Sequence, residues 1–264
     1  MNIRDENVLR ELNLYPLWVR RDAPVEGSVG AALAANDNRQ QAGSHKTVML
    51  GGGEADTQQS AMGIATPVLS RVEGLNPSCV SSLDWNELKE KVHDCTACKL
   101  RAGCTQTVFG VGDESAEWLF VGEGPGADED AQGEPFVGQA GKLLDNMLAA
   151  IKLKRGANVY IANIVKCRPP GNRTPEADEI ATCMPYLQQQ IALIKPKLIV
   201  ALGKTAATSL LGREAMLGSL RGTIHDYHGI PLVVTYHPAY LLRSPAEKAK
   251  AWQDLCFAVQ RMTE

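Results

Sequence analysis

The chain has 264 residues, of which 44% are apolar, and it carries a formal net charge of −3. This size suits one compact domain with additional sequence, and the slightly acidic balance decides neither for nor against nucleic-acid binding, which needs only a local basic surface. No apolar run approaches the roughly 20 residues that span a bilayer, and the charged first residues lack the apolar stretch of a signal peptide. We therefore expect a cytoplasmic protein.

The first 82 residues differ in composition from the rest of the chain. Residues 1–21 carry leucines and Trp18 in a short, partly helical pattern, which predicts an interaction segment that docks on a protein partner or folds back on its own domain. Residues 22–82 are rich in Gly, Ala, Ser, Asn and Gln. Such a segment buries too little apolar surface to offset its ordering entropy, which predicts a disordered linker. The folded domain is expected to comprise residues 83–264.

The elements of an α/β domain follow in order after this linker. A first helix is predicted to begin at Ser82 or Asp84, either of which can act as an N-cap. Short β-like runs occupy 118–123, 159–165, 197–203 and 231–238. Helical stretches occupy 138–152, 175–195, 204–212 and 245–262. Apolar strands that alternate with helices predict a mainly parallel, four-stranded sheet covered by helices on both faces.

Three of the four predicted strands lead into polar loops of unusual composition. These loops have the sequences GEGPGADED, NIVKCRPPGNRTP and YHPAYLLRSP. In parallel α/β sheets, the chemistry gathers where loops leave the carboxyl ends of the strands. An active site is therefore expected at this edge of the sheet.

Seven cysteines in a cytoplasmic protein predict ligands, nucleophiles or buried groups in preference to disulfides. Cys95 and Cys98 form one close pair, whereas Cys167 and Cys183 stand sixteen positions apart. Zinc sites usually present two close pairs, whereas four thiolates with one wide spacing fit a [4Fe–4S] cluster. Spacing alone leaves a cluster, a zinc ion and unrelated thiols all open. Cys104 is a nearby fifth candidate.

Two glycine-rich loops match nucleotide-binding motifs only in part. Residues 122–127 loosely match the dinucleotide fingerprint, but the acidic side chains that follow would repel a pyrophosphate. Gly203, Lys204 and Thr205 resemble the end of a phosphate loop whose first glycine is replaced by Leu198. A helix start is the simpler interpretation there, and its N-terminus is suited to a DNA phosphate.

Five segments together closely resemble the family 4 uracil-DNA glycosylases, which contain an iron–sulfur cluster. The segments are 95–100, 122–148, 159–187, 198–207 and 235–243, in the order in which the family has them. The resemblance implies the three-layer α/β/α uracil-DNA glycosylase fold and the removal of uracil from DNA in base excision repair. It also implies a [4Fe–4S] cluster held by Cys95, Cys98, Cys167 and Cys183. We expect a monomer that acts on single- or double-stranded DNA.

A glycosylase reads its target base in a pocket outside the base stack, and three side chains are candidates for this reading. Phe136 is expected to stack on the uracil face. Asn163 offers a donor and an acceptor, which pair with uracil O4 and N3–H and reject the reversed pattern of cytosine. His237 is expected to donate to uracil O2 as negative charge develops there. The structural alternatives are a core aromatic, a loop-capping amide and a structural histidine.

The loop after the first predicted strand is expected to line the same pocket. Backbone N–H groups of Glu123 and Gly124 are suited to hold uracil oxygens, with Pro125 beside them. Gly124 stands where the best-known uracil-DNA glycosylase family has an aspartate that positions the attacking water. Glu123, Glu129 and Asn172 are the candidates for that role, with Asn172 or backbone-held water preferred. Glu129 is alternatively expected to crowd the C5 position and exclude thymine.

DNA backbone contacts are predicted for basic residues near the loop-bearing edge. Such a group gives the affinity for DNA a marked dependence on salt concentration. The six candidates are Lys166, Arg168, Arg173, Lys204, Arg221 and Arg243. Residues 240–242 are expected to fill the gap that the flipped base leaves.

Three other functions are compatible with parts of the sequence. A non-catalytic DNA-binding module would need neither Asn163 nor His237. A covalent uracil-trapping relative would carry a basic insertion ending in histidine within the loop CRPPGNRTP, which has none. A dinucleotide-dependent oxidoreductase conflicts with the acidic loop after the first strand. Uracil excision is therefore the favoured prediction.

Overall fold

A computed structural model describes residues 80–263, so the predicted interaction segment and all but the end of the predicted linker lie outside the described residues. The helices are α1 Trp85–His93, α2 Ala127–Gln132, α3 Gln139–Ala150, α4 Ala177–Ile194, α5 Lys204–Leu211, α6 Leu217–Leu220, α7 Pro238–Arg243 and α8 Lys248–Thr263. The strands are β1 Val111–Gly112, β2 Trp118–Gly122, β3 Val159–Asn163, β4 Leu198–Leu202, β5 His225–Tyr227 and β6 Ile230–Thr235. Short 3₁₀ turns occupy Lys99–Gly103, Pro170–Asn172 and Pro245–Glu247. None of the helices in this part of the chain is long and apolar enough to cross a bilayer.

The strands form one sheet in the order β1-β3-β2-β4-β6-β5. The four central strands run parallel, and β1 and β5 pair antiparallel at the two edges. The four predicted strands are these central four, so the prediction of a mainly parallel α/β fold is confirmed. The sequence does not predict the edge strands, because segments of two and three residues are too short to show an alternating pattern.

Successive residues of a strand point to opposite faces of the sheet, and each face here has its own core. In β2, Leu119 and Val121 pack in one core, while Trp118 and Phe120 pack in the other. Helices α1, α4 and α5 cover the first core, and α3, α7 and α8 cover the second. This three-layer arrangement explains why the central strands are continuous apolar runs in the sequence.

Asp84, one of the two predicted N-caps, begins α1. Its carboxylate accepts hydrogen bonds of 2.9 Å from the N–H groups of Asn86 and Glu87, and the Glu87 carboxylate accepts one from Asp84 N–H. This capping box satisfies donors that have no partner within the first turn. The capped helix packs on α4 and delivers the Cys95–Cys98 segment to that side of the sheet.

Candidate active site

A cavity of about 440 Å³ lies at the carboxyl ends of β2, β3 and β6. Gly122 and Asn163 pair with each other at the ends of β2 and β3, and His237 follows two residues after the end of β6. The cavity is lined by every residue predicted to be catalytic or to bind the substrate, namely Glu123, Gly124, Pro125, Glu129, Phe136, Asn163, Asn172 and His237. Parallel topology thus brings together side chains that lie more than 100 positions apart in the sequence.

Asn163 presents an unpaired hydrogen-bond acceptor at this cavity. The residue is 2% exposed, and its Oδ1 has no hydrogen-bond partner among residues 80–263. Buried polar groups in proteins are almost always paired, so this oxygen is expected to take a hydrogen bond from a water or a ligand in the cavity. Gly122 provides the space, because a Cβ there would lie 2.5 Å from Phe136 Cζ and closer still to Asn163 Oδ1.

His237 is held as a neutral hydrogen-bond donor. Its Nδ1 accepts a hydrogen bond of 3.2 Å from Ala239 N–H, so the proton of the neutral ring lies on Nε2. Burial and the positive charge of Arg243 lower the pKa of His237 to about 4. The negative charge of Glu129 acts in the opposite direction but is the weaker effect. A neutral Nε2–H group can stabilise a developing oxyanion without gaining or losing a proton.

We expect the His237 ring to titrate near pH 4 instead of near its ordinary pKa of 6.5. Because the folded protein favours the neutral form, the ring stays uncharged in mildly acidic solution and gains a proton only when its Nδ1 gives up the bond from Ala239. Nitrogen-15 NMR of the imidazole measures both the pKa and the position of the proton, and a His237→Asn variant assigns the resonance. A midpoint near 6.5, or a proton on Nδ1, would contradict this description.

Phe136 forms one wall of the cavity. The residue is 6% exposed and packs in the core beneath α3, so the interpretation as a core aromatic holds in part. Its ring centroid lies 5.5 Å from that of His237, with 32° between the ring planes, and the side chain also lines the cavity. A flat apolar wall beside a polar imidazole suits a planar heterocycle.

The three candidates for handling water differ in how their side chains are engaged. The Glu129 carboxylate accepts hydrogen bonds of 2.9–3.1 Å from the backbone N–H groups of Gly126, Val137 and Gly138. These bonds fix the loop after β2, which gives Glu129 a structural task. The Asn172 Oδ1 accepts a hydrogen bond of 2.7 Å from Arg168 Nε. Glu123 lines both this cavity and an adjoining cleft.

The four predicted ligand cysteines face one buried cavity on the other side of the loop after β3. Cys95 and Cys98 follow α1, Cys167 lies in that loop, and Cys183 lies within α4. The cavity is closed by the apolar and aromatic side chains of Val92, Leu100 and Tyr186. Within residues 80–263, no three Cys, His, Asp or Glu side chains converge closely enough to hold a single metal ion.

Burial favours the protonated form of two of the thiols at this site, Cys167 and Cys183. Burial raises the pKa of Cys183 to about 12. Burial also raises the pKa of Cys167, and a hydrogen bond with the Cys104 thiol raises it further. Ligation would therefore displace protons, as is general for thiolate ligands. Cys104 lies beside Cys167 and remains a fifth candidate.

Comparison with known proteins identifies the family. The model of the uracil DNA glycosylase superfamily matches residues 109–256. A type-4 uracil-DNA glycosylase from Pyrobaculum aerophilum is 43% identical over 183 residues, which cover 66% of this chain and 92% of that protein. The chain belongs to the type-4 uracil-DNA glycosylase family. Two further type-4 uracil-DNA glycosylases are similarly related. The one from Thermotoga maritima is 44% identical over 165 residues, which cover 62% of this chain and 85% of that protein. The one from Archaeoglobus fulgidus is 41% identical over 174 residues, which cover 63% of this chain and 86% of that protein. The family membership predicted from the five sequence segments is therefore confirmed.

Two of the six basic residues predicted to contact DNA are held by polar partners within this type-4 family member. Lys166 is 1% exposed, and its Nζ donates hydrogen bonds to Asn163 O at 3.0 Å and to Gln190 Oε1 at 2.6 Å. The Arg221 side chain is 12% exposed and pairs with both carboxylate oxygens of Asp254, at 2.7 and 3.0 Å. The buried ammonium group of Lys166 is not available to a DNA phosphate, whereas a DNA contact by the partly exposed Arg221 stays a prediction.

Two of the other four predicted basic residues of this type-4 family member line the cavity, and the other two lie beside it. Arg173 and Arg243 line its rim, although Arg173 also pairs with the buried carboxylate of Glu179 at 2.7 and 2.9 Å. Arg168 is hydrogen-bonded to a residue at the rim. Lys204, at the start of α5, lines the adjoining cleft of about 820 Å³. DNA contacts by these four residues stay a prediction.

Of residues 240–242, which are predicted to fill the gap left by the flipped base, only two have exposed side chains. Tyr240 is 38% exposed and lines the cavity, and Leu242 is 43% exposed. Leu241 is buried in the core beneath α7, because the helix turns its side chain toward the sheet. Only Tyr240 and Leu242 remain available to fill a gap in DNA.

No sequence motif marks two side chains that support the cavity of this type-4 family member. Asp254 accepts a hydrogen bond of 2.8 Å from the hydroxyl of Thr235 and holds Arg221, whose guanidinium lies 4.4 Å over the ring of Tyr236. This network fixes the end of β6 next to His237. Arg155 donates to two backbone carbonyl groups beside the cavity. Neither residue belongs to a motif, and only the tertiary structure reveals their contacts.

Proposed function

We propose that the chain hydrolyses the N-glycosidic bond between uracil and deoxyribose in DNA, which releases uracil and leaves an abasic site. The observation that carries this proposal is the convergence of three side chains around one cavity: Phe136 from between α2 and α3, Asn163 from the end of β3, and His237 from after β6. The type-4 relatives are uracil-DNA glycosylases, which supports the same activity.

Recognition of uracil in this cavity requires that the target nucleotide leave the base stack. The base stacks on Phe136, the Asn163 Oδ1 accepts a hydrogen bond from N3–H, and the Asn163 Nδ2 donates one to O4. Cytosine has an acceptor at N3 and a donor at N4, so both contacts with Asn163 would be mismatched. A buried unsatisfied group costs about 1–3 kcal/mol, which corresponds to roughly 5- to 150-fold selectivity per contact.

Cleavage of the C1′–N1 bond leaves the electron pair on the base and positive charge on the sugar. The negative charge spreads onto O2 and O4 of uracil, where His237 Nε2–H and Asn163 Nδ2–H donate hydrogen bonds. Because these donors are neutral and fixed in place, uracil can depart as an anion without a proton from His237. Water adds to C1′, and the proton that it loses balances the charge of the departed uracil anion, which completes the hydrolysis.

Glu123 and Asn172 are proposed to hold this water. They reach the cavity from different loops, after β2 and after β3. A carboxylate near C1′ would also stabilise the positive charge that develops on the sugar. If Glu123→Gln or Asn172→Ala retains the full single-turnover rate, that residue has no such role.

Incubation with a single-stranded oligonucleotide that contains one uracil, followed by alkali, tests the activity. Alkali cleaves DNA at an abasic site, so strand cleavage at the uracil position demonstrates excision. An oligonucleotide with thymine at that position is the specificity control, and an Asn163→Ala preparation controls for contaminating enzymes. A protein–DNA adduct that survives denaturation would indicate covalent trapping, and an intact strand that still binds would indicate a non-catalytic module; either result overturns the proposal.

We further propose that Cys95, Cys98, Cys167 and Cys183 hold a [4Fe–4S] cluster. The four thiols line one cavity, and one close pair with two widely spaced partners fits the four thiolates of a [4Fe–4S] cluster better than the two close pairs usual for zinc. The Cys183 Sγ also accepts a hydrogen bond of 3.2 Å from Lys166 N–H, a contact that supports a ligating thiolate. When bound, the cluster supplies metal–thiolate bonds that link α1, the loop after β3 and α4, which is a structural role.

Replacement of Cys183 by serine is expected to remove the iron and to lower the melting temperature by about 10 °C, because metal–ligand energy contributes to folding energy. Iron content, visible absorbance and thermal unfolding of the anaerobically purified protein measure these effects. Cys256→Ser is the matched control, since Cys256 is exposed on α8. Full iron content in Cys183→Ser would remove this residue from the ligand set.

A further inference from the structure

Phe136 has a backbone conformation that residues with a side chain rarely adopt. Its φ is +55°, in the left-handed region, where the Cβ crowds the neighbouring carbonyl oxygen. Such a conformation persists only where the surrounding structure holds it in place, and residues of this kind cluster at functional sites. The orientation of the Phe136 ring beside His237 therefore depends on contacts that fix this backbone.

Arg155 makes those contacts with its planar guanidinium group. Its Nη1 donates a hydrogen bond of 2.7 Å to Pro135 O, and its Nη2 donates one of 2.7 Å to Phe136 O. The remaining nitrogen, Nε, donates to Asp145 Oδ1 at 2.9 Å. A rigid fork that binds two consecutive carbonyl groups fixes one relative to the other, which the single ammonium of a lysine cannot do.

Helix α3 provides the surface against which this arrangement is held. Gly141 lies so close to the Phe136 carbonyl that a Cβ on Gly141 would overlap it. Asp145 lies four positions further along the same helix, so both residues are on one helix face. This face of α3 thus contacts the Phe136 backbone directly at Gly141, and it carries the Asp145 carboxylate that orients Arg155.

We infer that Arg155 is a positioning residue, which locks the backbone at Pro135 and Phe136 so that the Phe136 ring forms the wall of the uracil cavity. The inference rests on the proposed function and extends it. Arg155 acts through Phe136, because its guanidinium is bonded to the backbone behind the ring and to Asp145. Nothing in the sequence around Arg155, KLKRGANVYI, indicates this role.

The test compares Arg155→Met and Arg155→Lys with the wild type in the full chain. We expect Arg155→Met to slow single-turnover uracil excision by about 10- to 100-fold, the usual consequence of a reactant misplaced by a fraction of an ångström to an ångström. Arg155→Lys is expected to lose less, because it keeps the charge and one carbonyl bond. Lys197→Met is the matched control, since it removes an ion pair with Glu117 at the opposite end of the sheet and should retain the wild-type rate.

Two further readouts separate positioning from general stability. In a Phe136→Leu background, Arg155→Met is expected to cost no more than about 2-fold, because residues that act as a unit are not additive. The ring centroids of His237 and Phe136 lie 5.5 Å apart, so the NMR resonances of the carbon-bound His237 ring protons should shift in Arg155→Met, measured well below its melting temperature.

The inference is overturned if Arg155→Met retains the wild-type rate and leaves the His237 resonances unchanged, or if the same fold-loss appears in the Phe136→Leu background. If Arg155→Met does not fold, the same two criteria apply to Arg155→Lys. These outcomes are distinct from a failure of the proposed function, in which the wild type itself would not release uracil. The NMR comparison does not depend on that activity.

Discussion

Asn163→Ala is expected to slow single-turnover uracil excision by about 10²- to 10³-fold, the range seen when a donor to a developing oxyanion is removed. Asn163 is 2% exposed, and its unpaired Oδ1 lies beside the cavity, so alanine would remove both contacts to the base without opening the site to solvent. Affinity for DNA without uracil should stay within about 2-fold, because that affinity depends mainly on phosphate contacts. Gel-based single-turnover assays and anisotropy titrations measure the two quantities.

Gln189→Ala is the matched control for this substitution. Gln189 is also a buried amide, and its Nε2 donates a hydrogen bond of 2.6 Å to Leu83 O at the start of the domain, away from the cavity. Its loss should lower stability and leave the rate per folded molecule unchanged. If Asn163→Ala excised uracil within about 3-fold of the wild type, the carboxamide would have no part in reading the base.

His237→Ala is expected to slow excision by a similar factor of about 10²–10³, because it removes the Nε2–H donor at the oxygen where charge develops. His237→Asn is expected to be intermediate, since its Nδ2–H group is a neutral donor on a shorter side chain. The wild-type rate should be insensitive to titration of His237 in neutral and mildly acidic solution, because the pKa of this residue is lowered to about 4. Single-turnover rates as a function of pH measure both effects.

His228→Ala is the matched control, because His228 is an exposed histidine in the turn between β5 and β6. It should excise uracil at the wild-type rate. A wild-type rate in His237→Ala, or a loss of wild-type activity with a midpoint near 6.5 that His237→Ala abolishes, would contradict the role of a neutral donor.

The central sheet is predictable because burial on both faces imposes long apolar runs. Each central strand, such as β4 with all five residues buried, appears in the sequence as a run that no exposed element would carry. The same rule does not apply at the edges. Strand β1 has two partly exposed residues, and β5 has three of mixed exposure, so neither produces a periodic signal.

Asn163 and His237 are expected at one edge from the topology, because parallel strands bring their carboxyl ends together and these residues end β3 and follow β6. Phe136 lies beyond α2, well after the end of β2, and only the family resemblance predicts its place. The tasks of the charged residues are not predictable in this way. Lys166 and Arg221 satisfy buried partners 24 and 33 positions away, and a single sequence does not show which carboxylates and amides those are. A basic side chain near a predicted site thus looks like a DNA contact until the tertiary structure reveals its partner.

A crystal structure of the protein with bound uracil tests the arrangement of these three side chains most directly. The expected result is a uracil ring stacked on Phe136, with its N3–H donating to Asn163 Oδ1 and its O2 accepting from His237 Nε2. Uracil bound elsewhere, or bound in this cavity with neither Asn163 nor His237 in hydrogen-bonding contact, would contradict the proposed site.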